Sequence, residues 1–150
     1  MNDSIWKPHV TVAAIIERDG RFLVVEEETD DGLRLNQPAG HLESDETIVA
    51  GTVREALEET AYRFEPRHLI GVYRWKHPSG VVYLRFAFTG PILEHESGRV
   101  LDHGILRALW LTPEELHAER ARHRSPLVMR CVDDYLAGRR YPLEVLTHLE

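Results

Sequence analysis

Glu55, Glu58 and Glu59 fall within a single helical turn of the stretch "GHLESDETIVAGTVREALEET", Gly40 to Thr60. Carboxylates three and four residues apart on a helix are neighbours, and each like-charge pair there costs roughly 0.2–0.5 kcal/mol unless something neutralises it. The chemistry that uses such a cluster is hard-cation binding, because Mg²⁺ and Mn²⁺ take oxygen ligands and keep waters or substrate phosphates in their shells. A solvated acidic face is the competing reading, as it is for most charge clusters. Against it stands the local context: an ordinary exposed helix intersperses Lys and Arg, and here the nearby base is Arg54. Spacing by itself leaves both readings open.

The cluster needs a helix and a framework to hold it. At about 100° per residue, Val49, Val53, Ala56, Leu57 and Thr60 gather on one side of a helix expected from about Glu46 to Thr60, with Glu55, Glu58 and Glu59 on the other. Ser44 or Asp45 is expected to cap it, with acidic residues near its positive N-terminal end. Ile48 projects near the acidic side, where the preceding loop is its expected packing partner. Upstream, "HVTVAAII" and "RFLVVEEE" are β-branched runs joined by "ERDG", and the Asp19-Gly20 pair signals a hairpin. "TDDGLRLNQPAG" reads as a turn, a short strand from Leu33 to Asn36 and a tight turn at "PAG". Downstream, "LIGVYRWKH" and "VVYLRFAFTG" form a second hairpin around "PSG". "RALWLTPEEL" reads as a strand entering a helix, with Thr112 as cap and Pro113 at the first helical position. "SPLVMRCVDDYLAG" predicts a capped amphipathic helix closed by Gly138.

The totals bound the rest. A chain of 150 residues, 43% hydrophobic and 29% charged, is the size of one compact domain spanning residues 1–150, without internal repeat or low-complexity linker. A net charge of -7 argues against a dedicated duplex-binding protein, so no stable nucleic-acid partner is expected. The lone Cys131 rules out an internal disulfide, and no CxxC or HExxH spacing is present to hold zinc, which leaves Cys131 as a small apolar core residue on a helix. The N-terminal stretch has an uncharged run of seven residues before Glu17, too short for a membrane span, and lacks the basic start of a signal peptide. A cytoplasmic location and no membrane partner are the expectations.

From Gly40, five residues lead to Glu46 and seven more to Arg54-Glu55, followed by Ala56, Leu57, Glu58, Glu59, Thr60, Ala61 and Tyr62. This resembles the Nudix box, Gly-x5-Glu-x7-Arg-Glu-U-x-Glu-Glu-x-Gly-U with U a bulky aliphatic residue, matched at Gly40, Glu46, Arg54, Glu55, Glu58 and Glu59. The departures are Ala56 and Tyr62 at aliphatic positions and Ala61 at the second glycine. A left-handed backbone at Ala61 costs about 1 kcal/mol, but that residue supplies no ligand. "KPHVTVA", "FLVVEEE", "NQPAGHLESDET", "RSPLV" and "RYPLE" are similar to the phosphatase NudJ group of Nudix hydrolases and run from Lys7 to Glu144. The resemblance implies an α/β fold with mixed α+β character, an α/β/α sandwich around a mixed central sheet, with the box as a loop-helix-loop. It also implies Mg²⁺-dependent hydrolysis, with Mn²⁺ as a substitute, of nucleoside tri- and diphosphates and of the pyrophosphate ester of the thiamine pyrimidine precursor.

By the same resemblance, Glu55, Glu58 and Glu59 bind the metal directly or through water, and the Gly40 carbonyl adds an oxygen. Arg54 orients a box glutamate, and Glu46 holds Arg54. These five side chains are the catalytic set, and which glutamate takes the proton of the attacking water is left open. Trp75 is expected on the strand face opposite Arg74 and Lys76, where it either stacks on a substrate ring or packs in the core. Gln37, Arg74, Trp75 and Arg85 are the substrate-contact candidates, with Lys7 and His41 behind them. Relatives in this family, as aligned to this chain, carry a further acid ahead of the stretch that reads "WLTPEEL" here; Gly104 stands at that position. Asp102, two residues earlier, is the nearest carboxylate, and strand alternation puts it on the same face. It is the extra acidic candidate, for a water-mediated metal contact or general-base work, against a solvated loop residue.

The partner expected is a small phosphorylated metabolite. The proline of "HPSG" lies at a distance after the box reminiscent of ADP-ribose hydrolases, so a nucleoside diphosphate derivative such as ADP-ribose is the alternative substrate. A non-catalytic nucleotide sensor is the alternative function, disfavoured because Arg54-Glu55 and Glu58-Glu59 are intact. Removal of 5′ pyrophosphate from RNA is disfavoured by the lack of a basic stripe.

Overall fold

In the computed structural model, which describes residues 4–150, β1 (His9–Ala14), β2 (Glu17–Arg18), β3 (Arg21–Thr29), β4 (Gly32–Asn36) and β5 (Ala39–His41) precede helix α1 (Ile48–Thr60). After it come β6 (Tyr62–Phe64), β7 (His68–Lys76), β8 (Val82–Thr89), β9 (Ile92–His95), β10 (Ile105–Leu111), α2 (Pro113–Ala118), α3 (Leu127–Leu136) and β11 (Tyr141–Pro142).

The main sheet has the order β11-β7-β8-β1-β5 and is mixed: β1 runs parallel to β8 and antiparallel to β5. β3 pairs with β2, β4 and β10 in a second sheet. Strand β1 is buried on both faces, which is why "VAAII" reads as a continuous apolar run instead of an alternation. Ala13 and Ile15 face a core shared with Phe22, Val24, Leu116, Val128, Cys131 and Val132, bringing α2 and α3 onto one side. Ala14, Ile16 and Leu23 face a second core with Ala56 of α1 and Phe64. Helices therefore cover both faces, the α/β/α layering of a Nudix fold.

Several local expectations are revised. Asp19 and Gly20 do make a tight turn, both with positive φ (53° and 80°), as a two-residue hairpin requires. The hairpin closes only β2 onto the start of β3, however, and the long runs β1 and β3 go to different sheets. "PAG" is not a turn: Ala39–His41 is β5, in register with Thr11, Val12 and Ala13 of β1. The second hairpin holds, with Trp75 opposite Tyr83 and Tyr73 opposite Arg85. Thr112 caps α2 in a reciprocal capping box with Glu115, with Pro113 in the first turn. Gly138 follows α3 with φ 83°, while the start of that helix is tied by the Ser125 hydroxyl to the Leu127 N–H at 3.1 Å. The short pair β6–β9 carries no pattern long enough to be read from sequence.

Candidate active site

Helix α1 starts at Ile48, later than expected, because Thr47 and not Ser44 or Asp45 caps it: the Thr47 hydroxyl accepts the Ala50 N–H at 3.0 Å. No acid lies in its first turn. Glu46 therefore sits outside the helix, free to turn back. Its Oε1 accepts the Glu43 N–H at 2.9 Å, and its two oxygens take Arg54 Nη2 at 2.7 Å and Nε at 2.8 Å. This bidentate fork is the strong form of such a pair. The remaining Arg54 nitrogen, Nη1, donates to Glu55 Oε1 at 2.9 Å and Glu58 Oε2 at 3.1 Å, and Nη2 also reaches the His41 carbonyl at 3.1 Å. Arg54 is thus the hub that fixes two glutamates and the strand end at His41, and these acids hold its pKa above the usual arginine range.

The acidic residues do not wait on a solvated face. Glu55 and Glu59 are 7% and 8% exposed, and the buried stripe of α1 runs through Gly51, Thr52, Glu55, Ala56, Glu59 and Thr60. Val49 and Leu57, expected inside, are only half-buried. The reason is the sheet edge above α1: Glu59 Oε1 accepts the Ala39 N–H of β5 at 2.9 Å, and the Glu55 carboxyl packs on Gly40, where any Cβ would fall on the carboxyl group itself. Glycine at this position makes room for Glu55.

Oxygens of Glu55, Glu58 and Asp102 all lie within 4.8 Å of one another, a spacing one cation can bridge. Asp102 reaches the group by a different route from the one expected. It is not on a strand; it begins the turn before β10, and its N–H is fixed to the Glu58 carbonyl at 2.9 Å. Glu59 is adjacent but outside this trio, engaged with Ala39. Glu55, Glu58 and Glu59 have raised pKa values, whereas the Arg54 hydrogen bonds lower that of Glu46. Burial is the first cause for Glu55, with Arg54 opposing; burial and then Asp102 act on Glu58. Burial pushes Glu59 up to about 9, opposed by the Ala39 N–H and reinforced by Glu55, Glu27 and Asp102. Apart from Arg54 and the Ala39 amide, the surroundings of these three carboxyls disfavour their anions, and an added cation would offset that. The trio and the Gly40 carbonyl are hard oxygen donors that suit Mg²⁺ or Mn²⁺.

Beside Gly40 opens a cavity of about 380 Å³ whose lining includes Gly40, His41, Trp75, Tyr83, Arg85 and Asn36. Trp75 stacks on Tyr83, ring centroids 5.8 Å apart and planes 19° from parallel, and so forms a flat wall of the cavity instead of a core contact. His41 closes the Gly40 end, with His9 Nδ1 at 2.9 Å from its Nε2, and burial depresses its pKa. The other candidates divide. Arg85 lines the cavity, 5% exposed. Gln37 is 2% exposed and lies behind it, donating to the Val128 carbonyl at 2.7 Å and accepting from Arg85 at 2.9 Å, so it supports the wall without forming it. Arg74 is exposed on the other face of β7 from Trp75 and does not line the cavity. Lys7 is also exposed and outside the lining. Tyr83 and Asn36 were missed. Tyr83 was legible in principle, since pairing "VYRWKH" with "VVYLRF" around "PSG" sets it opposite Trp75; Asn36 reaches the cavity only through the non-local packing of β4.

Comparison with known proteins bears on this arrangement. A family model described as the NUDIX domain matches residues 7–131. The chain is 40% identical over 142 residues to the phosphatase NudJ of Escherichia coli (strain K12), covering 95% of this chain and 92% of that protein. Among solved structures, a NUDIX hydrolase from Nitrosomonas europaea superposes with a TM-score of 0.93 at 50% identity, covering 95% of this chain and 98% of the other. The E. coli ORF135 protein, at 24% identity over 89% of this chain and 91% of its own, shares the fold with a TM-score of 0.71.

Proposed function

The chain belongs to the Nudix hydrolase family and is an enzyme, and we propose that it is a Mg²⁺-dependent pyrophosphohydrolase, with Mn²⁺ able to substitute. Its substrates on this reading are nucleoside tri- and diphosphates and the hydroxymethylpyrimidine pyrophosphate that precedes thiamine. The observation that carries the proposal is the convergence of Glu55, Glu58 and Asp102, with Glu55 packed on Gly40, which itself lines a cavity with an aromatic wall. The 40% identical E. coli relative is named a phosphatase, which supports phosphate-ester chemistry.

When bound, the ion polarises phosphoryl oxygens, offsets the charge that develops on them and lowers the pKa of coordinated water. The rest falls to the chain. Glu55, Glu58 and the Gly40 carbonyl would hold the ion on this reading, with the Asp102 carboxyl close enough to join them, and Glu59 ties the helix to Ala39 of the neighbouring strand. Arg54, clamped by Glu46, keeps Glu55 and Glu58 at fixed separation, so the site pays little reorganisation when the cation arrives. Water attacks phosphorus, a carboxylate of the cluster accepts its proton, and the anhydride oxygen leaves with the departing phosphate. Trp75 and Tyr83 hold the substrate's ring at a distance from the reacting phosphorus. The free, buried thiol of Cys131 is compatible with work in a reducing cytoplasm, and among the described residues no helix is long and apolar enough to cross a membrane.

The test is phosphate release from nucleoside tri- and diphosphates, hydroxymethylpyrimidine pyrophosphate, ADP-ribose and triphosphorylated RNA, each with Mg²⁺ and with EDTA. Mg²⁺-dependent release from the first two classes is expected. Release from ADP-ribose or RNA alone moves the substrate assignment, and tight binding without release from any of them makes the chain a sensor.

A further inference from the structure

Arg85 is a buried cation that the proposed hydrolysis leaves unemployed. Its hydrogen-bond partners are Gln37 Oε1 at 2.9 Å, Asn36 Oδ1 at 3.1 Å and Cys131 Sγ at 3.8 Å, none of them charged. Burial also pushes the Cys131 thiol pKa up, so it offers no thiolate. Among the described residues, Arg85 Nε is buried without any hydrogen-bond partner. A guanidinium has five donors, and taking its charge out of water without a counter-group is costly. Such a residue lining a cavity is waiting for an acceptor.

Strand register locates that acceptor. Arg85 sits between Tyr73 of β7 and Thr11 of β1, and Thr11 in turn pairs with His41 of β5. Two residues further along the strands, on the same face, come Trp75, Tyr83 and His9. Two strand spacings separate β8 from the strand carrying Gly40, about 10 Å. A substrate whose reacting phosphates lie at Gly40 therefore brings its ring, and not those phosphates, to Arg85, with the ring face against Trp75 and Tyr83. The two groups it meets there, Arg85 and the Asn36 amide, both have donors to offer. Arginine has no acceptor, and Asn36 spends its carbonyl oxygen on Arg85, which leaves the Asn36 amide N–H groups.

We propose that Arg85 and Asn36 are specificity residues that read the acceptor edge of an oxo-substituted heterocycle of the guanine or uracil kind. The proposal rests on the pyrophosphohydrolase reading and narrows it. Guanine offers two adjacent acceptors to an arginine, whereas adenine sets an amino donor beside its ring nitrogen, which the Arg85 guanidinium cannot accept. Oxo rings are ranked ahead of amino-substituted ones, the thiamine pyrimidine included.

The experiment measures kcat/KM with Mg²⁺ for GTP, ATP and ringless inorganic tripolyphosphate in wild type, Arg85→Gln and Asn36→Ala, alongside calorimetric binding of GDP and ADP. Wild type should favour GTP over ATP by at least about fivefold, the low end of bidentate arginine discrimination, and GDP over ADP likewise. Arg85→Gln should collapse both preferences through KM and lower the GTP value several-fold more than the tripolyphosphate value; Asn36→Ala, at a less buried position, should reduce the preference even if the arginine variant fails to fold. Equal loss on GTP and tripolyphosphate would make Arg85 a phosphate anchor and overturn the proposal, as would equal wild-type binding of GDP and ADP. Preferential GDP binding without turnover of any substrate would sink the hydrolase reading and leave this one standing.

Discussion

Glu59→Gln should stabilise the metal-free protein while lowering its activity. Glu59 is 8% exposed and its carboxyl is pushed from an ordinary 4.5 to about 9, first by burial and then by Glu55, Glu27 and Asp102. An acid with a raised native pKa favours folding fully only below its unfolded pKa. That contribution fades as pH rises from about 4.5 to about 9, because the unfolded chain releases a proton that the native chain retains. Each unit of difference is worth about 1.36 kcal/mol, so at pH 8 this one carboxyl costs the metal-free fold up to about 4–5 kcal/mol. Glutamine removes the titration and keeps a carbonyl oxygen for the Ala39 N–H. For a chain of this size 1 kcal/mol moves Tm by about 2–4 °C, and relaxation around the site will take part of the gain, so a rise of at least about 5 °C is expected. The assay is thermal melting in EDTA at pH 5 and pH 8, repeated at pH 8 with saturating Mg²⁺. The variant should exceed wild type at pH 8 and match it near pH 5, and Mg²⁺ should stabilise wild type more than the variant. Equal Tm values in EDTA at pH 8, or a larger gap at pH 5, would refute the reasoning.

Gly40→Ala should fold and yet lose at least about tenfold in kcat, because the new methyl displaces the Glu55 carboxyl; steady-state kinetics with circular dichroism checks it, and full activity would show that Glu55 need not sit there. Asp102→Asn should lower turnover at least tenfold with KM little changed if it does general-base work, which is typically worth about 10²–10⁴-fold; wild-type turnover across pH would return it to the status of a loop residue. Trp75→Ala should raise KM for nucleotides by about fivefold or more, from stacking worth about 1–3 kcal/mol per base, while Arg74→Ala, outside the cavity, should leave KM unchanged. Equal effects from the two would place the substrate elsewhere.

The pattern Gly40, Glu46, Arg54, Glu55, Glu58, Glu59 could be read because its spacing is local: one helix and the loop before it bring these residues together. The second hairpin and the Thr112 capping box were legible for the same reason. What failed depended on distant partners. A helical projection sorts side chains by angle, but whether an angle faces water depends on what lies above it, and β5 lies above Glu55 and Glu59. "HVTVAAII" and "RFLVVEEE" look like hairpin arms, yet pairing of β1 with β8, far along the chain, takes the first arm into another sheet. Asp102 joins the carboxylates through a backbone hydrogen bond to Glu58 that no periodicity encodes. Arg74 and Trp75, adjacent in sequence, diverge because β7 alternates, so the same rule that placed Trp75 in the cavity excluded its neighbour.

The most direct measurement is Mn²⁺ binding, followed by electron paramagnetic resonance, together with Mg²⁺-supported phosphate release from GTP, in wild type, Glu55→Gln and Glu58→Gln. The wild-type protein should bind Mn²⁺ at a protein site and hydrolyse GTP only with a divalent cation; both variants should remain folded, bind Mn²⁺ far more weakly and lose turnover in parallel. Undiminished Mn²⁺ binding in both variants, or full hydrolysis in excess EDTA, would contradict a catalytic cation held by these glutamates.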